Sequence, residues 1–280
     1  MQLQCGPFPL DLDRPVVMGV VNVTPDSFSD GGRFADADAA VAAAERMAAD
    51  GAALVDVGGE STRPGSAPVD EAEELRRVMP VIERLAGRLP IPVSIDTRKP
   101  GVMRRAVEAG ASLVNDVGAL RAPGAIEAVA GSGAAVCLMH MQGEPGTMQD
   151  APRYADVVTE VREFLRRRVA ACEAAGIGRA RIAVDPGFGF GKSLEHNLAL
   201  LAGLPVIAAD GLPLLVGLSR KRMIGALTGR GDGERLAGSL AAAVVAAQNG
   251  ARIVRAHDVR ETVDALRVVA AAGAMRDNRA

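Results

Sequence analysis

Four side chains spread along the chain, Asp96, Asn115, Asp185 and Lys221, supply carboxylate acceptors, an amide of both polarities and a mobile cation. Such a set suits the edge of a flat heterocycle bearing ring N–H, an exocyclic amine and a carbonyl. A second group, Thr62, Arg63, Arg255 and His257, is cationic with one hydroxyl. It suits a phosphate or diphosphate, because guanidinium forks match phosphate oxygens. The densest polar stretch is Asn-Val-Thr-Pro-Asp-Ser-Phe-Ser-Asp-Gly-Gly at 22–32. Asn22 and the carboxylates of that stretch are hard oxygen ligands able to hold Mg2+ against a diphosphate. A heterocycle at one end and a metal-bound diphosphate at the other imply displacement of a diphosphate leaving group.

These residues need a scaffold, and the sequence repeats one unit: a β-branched run, a polar loop, then an Ala-rich amphipathic stretch. The runs predict strands near 16–21, 53–57, 92–96, 112–117, 135–140, 181–185, 213–217 and 252–256. Between and after them helices are expected near 36–50, 70–86, 100–109, 124–130, 154–175, 194–208, most of 222–248, and 258–271. Pro100 at the start and Gly110 after the end of the third helix fit the usual capping preferences. Fully apolar strands alternating with helices imply a parallel sheet covered on the outside. Eight such units in about 250 residues imply a (β/α)8 TIM barrel, an α/β fold. Residues 3–13, around Gly6 and Pro7, lie outside the repeat and are expected to form a hairpin plugging the bottom. No linker interrupts the pattern, so residues 1–280 are read as a single domain. Polar residues gather where the strands end: Asn22, Asp56, Asp96, Asn115 with Asp116, His140, Asp185, Ser219 to Lys221, and Arg255 with His257. In a barrel all carboxyl ends open on one face, so these residues are expected to converge on one site.

Composition narrows the partners. With 280 residues, 49% of them hydrophobic, and a net charge of -2, the chain has a large core and no basic surface for nucleic acid. One Tyr and six Phe are too few for a base-stacking platform. The start lacks the pattern of a signal peptide, and the longest apolar run, near 240–247, is too short to span a bilayer. Cys5, Cys137 and Cys172, widely spaced, are expected as reduced thiols in the cytoplasm. Gly-Phe-Gly-Phe-Gly-Lys-Ser at 187–193 imitates a phosphate loop, but Pro186 stands where that spacing requires Gly. His140, His196 and His257 lack zinc spacing; His196 is expected on a helix surface, and Arg166 to Arg168 on a solvated helix face.

The stretch 22–32 together with Asp-Val-Gly-Gly-Glu-Ser-Thr-Arg-Pro-Gly at 56–65 resembles the paired signatures of dihydropteroate synthases. The resemblance extends through Ser-Ile-Asp-Thr (94–97), Val-Asn-Asp-Val (114–117), Leu-Met-His-Met-Gln-Gly (138–143), Asp-Pro-Gly-Phe-Gly-Phe-Gly-Lys (185–192), Ser-Arg-Lys (219–221) and Arg-Ala-His-Asp (255–258). It implies condensation of 4-aminobenzoate with (7,8-dihydropterin-6-yl)methyl diphosphate, releasing diphosphate and forming dihydropteroate for folate synthesis. By the same resemblance Asp96, Asn115, Asp185 and Lys221 bind the pterin, Arg255 and His257 the anion, and Asn22 the Mg2+. Thr62 and Arg63 belong to a loop over the diphosphate, and Asp30 faces the cationic carbon. Phe28, Pro64, Phe190 and Arg220 surround the aminobenzoate. Arg222 stands where many members carry Ser after the Ser-Arg-Lys run. A homodimer through the late helices is implied as well. Two other readings belong to different classes: a related barrel that binds reduced pterins for methyl transfer, which needs no diphosphate pocket, and a non-catalytic pterin-binding paralogue.

Overall fold

The computed structural model describes residues 1–23, 32–61, 68–144 and 146–277. Eight parallel strands run in chain order: β3 (Val16–Asn22), β4 (Leu54–Gly58), β5 (Val93–Asp96), β6 (Leu113–Asp116), β7 (Ala135–Met139), β8 (Ile182–Asp185), β9 (Leu215–Gly217) and β10 (Ile253–Ala256). Each pairs with its sequence neighbour except β8 and β9, which meet through a single bridge between Val184 and Leu214, and β10 returns to β3. The result is the expected α/β TIM barrel, in which the first and last strands close the cylinder.

Alternation along each strand explains why the strands read as unbroken apolar runs. In β4, Val55 and Val57 face outward into the core beneath the helices, while Leu54 and Asp56 face the barrel axis. Both faces are covered, so both need buried residues. The helices are α1 (Gly32–Ala49), α2 (Glu71–Ala86), α3 (Pro100–Glu108), α4 (Ala125–Ala130), α5 (Val157–Ala174), α6 (Leu194–Ala202), α7 (Leu204–Ala208), α8 (Arg222–Thr228), α9 (Leu236–Gln248) and α10 (Val259–Asp277). Among the described residues no helix is long and apolar enough to cross a membrane.

The hairpin expected at the start consists of β1 (Gln2–Cys5) and β2 (Phe8–Asp11), paired antiparallel. Leu3, Cys5, Leu10 and Leu12 enter the barrel's lower end against Met18, Leu54, Leu113, Ala183, Leu215 and Ile253. Gly6, at φ 55, turns the hairpin and donates its N–H to Gly133 O at 3.0 Å. All three cysteines are buried free thiols, and burial pushes Cys5 up to about 12.

Helix boundaries differ most from expectation at three places. The stretch 194–208 breaks at Gly203, with Pro205 in the first turn of α7, where its missing N–H costs nothing. The stretch 222–248 breaks at Gly229, whose φ of 71 ends α8 in a left-handed cap before α9 begins. The last helix runs on to Asp277. Arg166 and Arg167 lie on the exposed face of α5 as expected, Arg166 joining Arg162 on Asp210, whereas Arg168 is half-buried and donates to Ala119 O at 2.8 Å and Leu120 O at 3.1 Å. One further side-chain expectation is corrected. His196 is half-buried: its ring meets Tyr154 edge to face, and it completes a capping box with Ser193 at the start of α6.

Candidate active site

The carboxyl ends of the strands carry a charged network inside the barrel wall. Arg255 of β10 donates from Nε to Asp56 Oδ2 at 2.6 Å and from Nη2 to Asp96 Oδ2 at 2.8 Å. Asp56, fully buried on β4, also accepts from Ser94 Oγ at 2.6 Å and from Asn115 Nδ2 at 3.0 Å. The lateral registers bring these groups together: Asp56 lies opposite Ser94, and Asp96 opposite Asn115. Asp56 therefore orients both the Arg255 fork and the Asn115 amide, a role that the sequence signals only by placing it in a strand-end signature.

Electrostatics reinforce this arrangement. Burial pulls the Arg255 pKa down, but Asp56 and Asp96 outweigh it and hold the guanidinium firmly protonated. The Asp96 carboxyl is pushed up by burial, opposed by Arg255. Arg255, expected with His257 in an anion pocket, thus sits in the same network as Asp96 and Asn115.

Asp185 ends β8, and its Oδ1 accepts the Gly187 N–H at 2.7 Å. Burial raises its pKa against the Gly187 hydrogen bond and the charges of Lys221, Lys192 and Arg255. Lys221 caps α8 from the loop after β9, and its Nζ donates to Phe188 O. The same ammonium lies over the Phe190 ring, 4.3 Å from the centroid. Burial brings Lys221 down to about 8, with Asp185 opposing. Its predecessor Arg220 has φ 58, a left-handed conformation that costs about 1–3 kcal/mol for a residue with a Cβ. That turn is held by Ser239 Oγ, which accepts the Arg220 N–H at 2.9 Å, and by Arg235 Nη1, which donates to Arg220 O at 3.1 Å. The Arg220 guanidinium forks onto Asp258 at 3.0 and 2.5 Å. Arg222 opens α8, so its N–H belongs to the helix's unpaired first turn.

Just beyond β10, the Nδ1 of His257 lies 3.1 Å from Ser219 Oγ. Asn22 ends β3, half-buried, with a neutral hard oxygen. Among the described residues no three His, Cys, Asp or Glu side chains form a metal cage. One carboxamide fits Mg2+ only where substrate oxygens and water complete the shell, as this ion prefers. Asp116, by contrast, serves the backbone: it accepts from Gly118 N at 2.6 Å and Leu120 N at 2.7 Å. Phe28, Asp30, Thr62, Arg63 and Pro64 lie outside the described residues.

The chain's relatives agree with this geometry. Residues 18–257 match the pterin binding enzyme family. Dihydropteroate synthase of Escherichia coli K12 is 54% identical over 270 residues, which span 96% of each protein. That of Neisseria meningitidis serogroup B is 50% identical over 277 residues, covering 96% of this chain and 97% of its own. Among solved structures, Xanthomonas albilineans dihydropteroate synthase with 4-aminobenzoic acid superposes with a TM-score of 0.92 at 57% identity, covering 98% of both chains. Burkholderia cenocepacia dihydropteroate synthase complexed with 7,8-dihydropteroate gives 0.90 at 52% identity, covering 99% of this chain and 98% of its own. With the barrel, the strand-end network and near-full-length identity in agreement, the chain belongs to the dihydropteroate synthases within the pterin-binding enzymes.

Proposed function

We propose that the site divides its work between the two ends of one substrate. The reaction is that of the family: 4-aminobenzoate condenses with (7,8-dihydropterin-6-yl)methyl diphosphate to give 7,8-dihydropteroate and diphosphate. In the proposed assignment Asp96, Asn115, Asp185 and Lys221 bind the pterin edge. Asp185 accepts ring and exocyclic N–H, Asn115 presents an amide oriented by Asp56, and Lys221 donates from its ammonium. Arg255, His257, Thr62 and Arg63 face the diphosphate, Asp30 faces the exocyclic carbon, and Phe28, Pro64, Phe190 and Arg220 border the aminobenzoate. The observation that supports this reading is the Arg255 fork, which gathers Asp96 and, through Asp56, Asn115 into one network at the strand ends.

The chemistry needs no strong base. The C–O bond to diphosphate breaks and leaves positive charge on a carbon that the dihydropterin ring stabilises. The amine nitrogen then forms the C–N bond and sheds its proton afterwards. The protein's task is to stabilise charge growing on the departing oxygens, for which fixed guanidinium and imidazole groups are suited. Asn22 would hold Mg2+ against the diphosphate, where the ion neutralises leaving-group charge. We assign the chain to the cytoplasm as one barrel domain forming a homodimer. The exposed apolar side chains Leu227, Leu236, Val245 and Val268 on α8 to α10 support that pairing face.

Calorimetry on Asp185→Asn tests the assignment. A carboxylate facing N–H donors becomes a partly mismatched amide, and a charge-assisted hydrogen bond is worth about 1.5–3 kcal/mol. At least about tenfold weaker binding of the pterin diphosphate is expected, with an unchanged melting temperature. Unchanged affinity would remove Asp185 from the pocket.

A further inference from the structure

The 187–193 segment, which imitates a phosphate loop in sequence, has a different construction. Gly187, Gly189 and Gly191 take φ values of 70, 78 and 63, folding the chain into an arch immediately after β8. The arch lies so close to the β7 loop that a Cβ on Gly187 would fall 1.9 Å from His140 O, and one on Gly191 2.4 Å from Gln142 O. Every carbonyl from 187 to 191 accepts a side-chain donor. Lys192 Nζ takes Gly187 O at 2.9 Å and Phe190 O at 3.1 Å, while Lys221 Nζ takes Phe188 O. Gln149 Nε2 takes Gly189 O, and Tyr154 OH takes Gly191 O at 2.8 Å. Asn197 secures the middle from below, its Oδ1 accepting the Gly189 N–H at 2.8 Å.

Lys192 is unlike a phosphate-binding lysine, which reaches out of its loop. Only 3% exposed, it folds back beneath the arch, and its third contact is His140 Nδ1 at 2.9 Å. It bonds both feet of the span whose middle holds Lys221, through the Phe188 carbonyl and the Phe190 ring. We propose that Lys192 is a positioning residue for Lys221: its buried amine, held by Gly187 O, Phe190 O and His140 Nδ1, sets the arch that seats the Lys221 ammonium in the pterin pocket. A buried lysine serving only the fold would lower stability without regard to Lys221. A positioning lysine loses its effect once Lys221 has no ammonium to place. This inference rests on the assignment of Lys221 to the pterin.

The test is a double-mutant cycle read by calorimetry with (7,8-dihydropterin-6-yl)methyl diphosphate on wild type, Lys192→Met, Lys221→Met and the double variant, with melting curves as a fold check. Lys192→Met is expected to bind about tenfold more weakly, the loss of one charge-assisted hydrogen bond. In the Lys221→Met background the same change should cost less than about twofold, because coupled residues are not additive. Wild-type affinity in Lys192→Met, or full losses that multiply in the double variant, would overturn the proposal. Should Lys192→Met fail to fold, Tyr154→Phe replaces it, since it releases only the Gly191 carbonyl. A loss of roughly threefold that vanishes in the Lys221→Met background supports the arch, and no loss refutes it. A wild-type chain that fails to bind this ligand, or a Lys221→Met variant that binds it as wild type does, refutes the pterin assignment and the positioning role together; wild-type affinity in Lys192→Met beside weakened binding in Lys221→Met refutes only the positioning role.

Discussion

The two ends of the barrel are built from the same strands and reach opposite solutions. At the bottom, Leu54, Leu113, Ala183 and Ile253 point to the axis and close it with the hairpin residues Leu3, Cys5, Leu10 and Leu12. Two residues further along each of these strands, on the same face of the pleat, stand Asp56, Asn115, Asp185 and Arg255. One step of two residues along four strands therefore exchanges a sealed apolar plug for a buried ionic network. The plug stabilises by removing apolar surface from water, at about 25 cal/mol per Å2. The network gains little net stability, because desolvation offsets Coulomb attraction, but it holds carboxylates and cations in fixed geometry for a ligand. The lower layer maintains the fold and the upper layer is prepared for binding.

The largest effect that can break this contrast is expected from Arg255→Ala. Two carboxylates, the buried Asp56 and the half-buried Asp96, lose their counter-charge. Breaking such a pair from one side costs about 3–5 kcal/mol. The sign with pH follows from Asp96: burial already raises its pKa, and removing the guanidinium raises it further. The native state then keeps a proton that the unfolded chain releases above about pH 4, so stability falls as pH rises toward the folded pKa. Denaturant unfolding should show a larger deficit at pH 8 than at pH 5. Turnover should fall by about 10²–10³, as for loss of one charge stabiliser, at saturating aminobenzoate. A variant whose sole defect is a raised KM for aminobenzoate would place Arg255 elsewhere.

Next in size is Leu54→Ala at the bottom. Leu54 is fully buried, and the cavity should cost about 2–5 kcal/mol of stability. Calorimetric affinity for the pterin diphosphate should stay within about twofold of wild type, since Leu54 packs within the apolar layer of the plug. A tenfold loss of affinity would show that the two layers are coupled and that the contrast between them is too sharp.

The smallest effect sharpens the contrast through pH. His140, packed against Phe164 and next to Lys192, is pulled down to about 3 by burial first and the lysine charge second. An unfolded histidine titrates near 6.5, so between about pH 6.5 and 3 the unfolded chain binds a proton that the native state refuses. Stability is therefore lost as pH falls through that window, by up to about 1.4 kcal/mol per pH unit for one group. His140→Gln should flatten the slope between pH 6 and 4 in urea titrations, while Leu54→Ala should leave it unchanged. Equal slopes in wild type and His140→Gln would mean that His140 takes a proton in the folded protein.

Much of this architecture is legible without coordinates. The eight strand–helix units, the polar residue at each strand end and the hairpin outside the repeat all follow from short-range patterns. Each is governed by contacts within a strand, a helix turn or a tight loop. Helix ends are hidden in the sequence where one backbone angle decides them, as at Gly229, because a left-handed cap leaves the hydrophobic period unchanged on either side. The place of Lys192 is hidden for a related reason: Gly-Phe-Gly-Phe-Gly-Lys states that the chain bends, and not which way the lysine points once it has bent.

What the tertiary structure alone decided is which charges meet. Arg255 reaches Asp56 across 199 positions and Asp96 across 159, and Arg168 caps carbonyls of a turn 49 residues before it. Local sequence determines that a residue ends a strand or faces inward, because the pleat alternates every second position. The neighbour it faces across the barrel depends on strand register and on closure between the first and last strands, which are set by the packing of the whole cylinder. The parts of the site were therefore readable one at a time, and their pairing into an Arg255 fork and a Lys192 arch came only from closing the barrel.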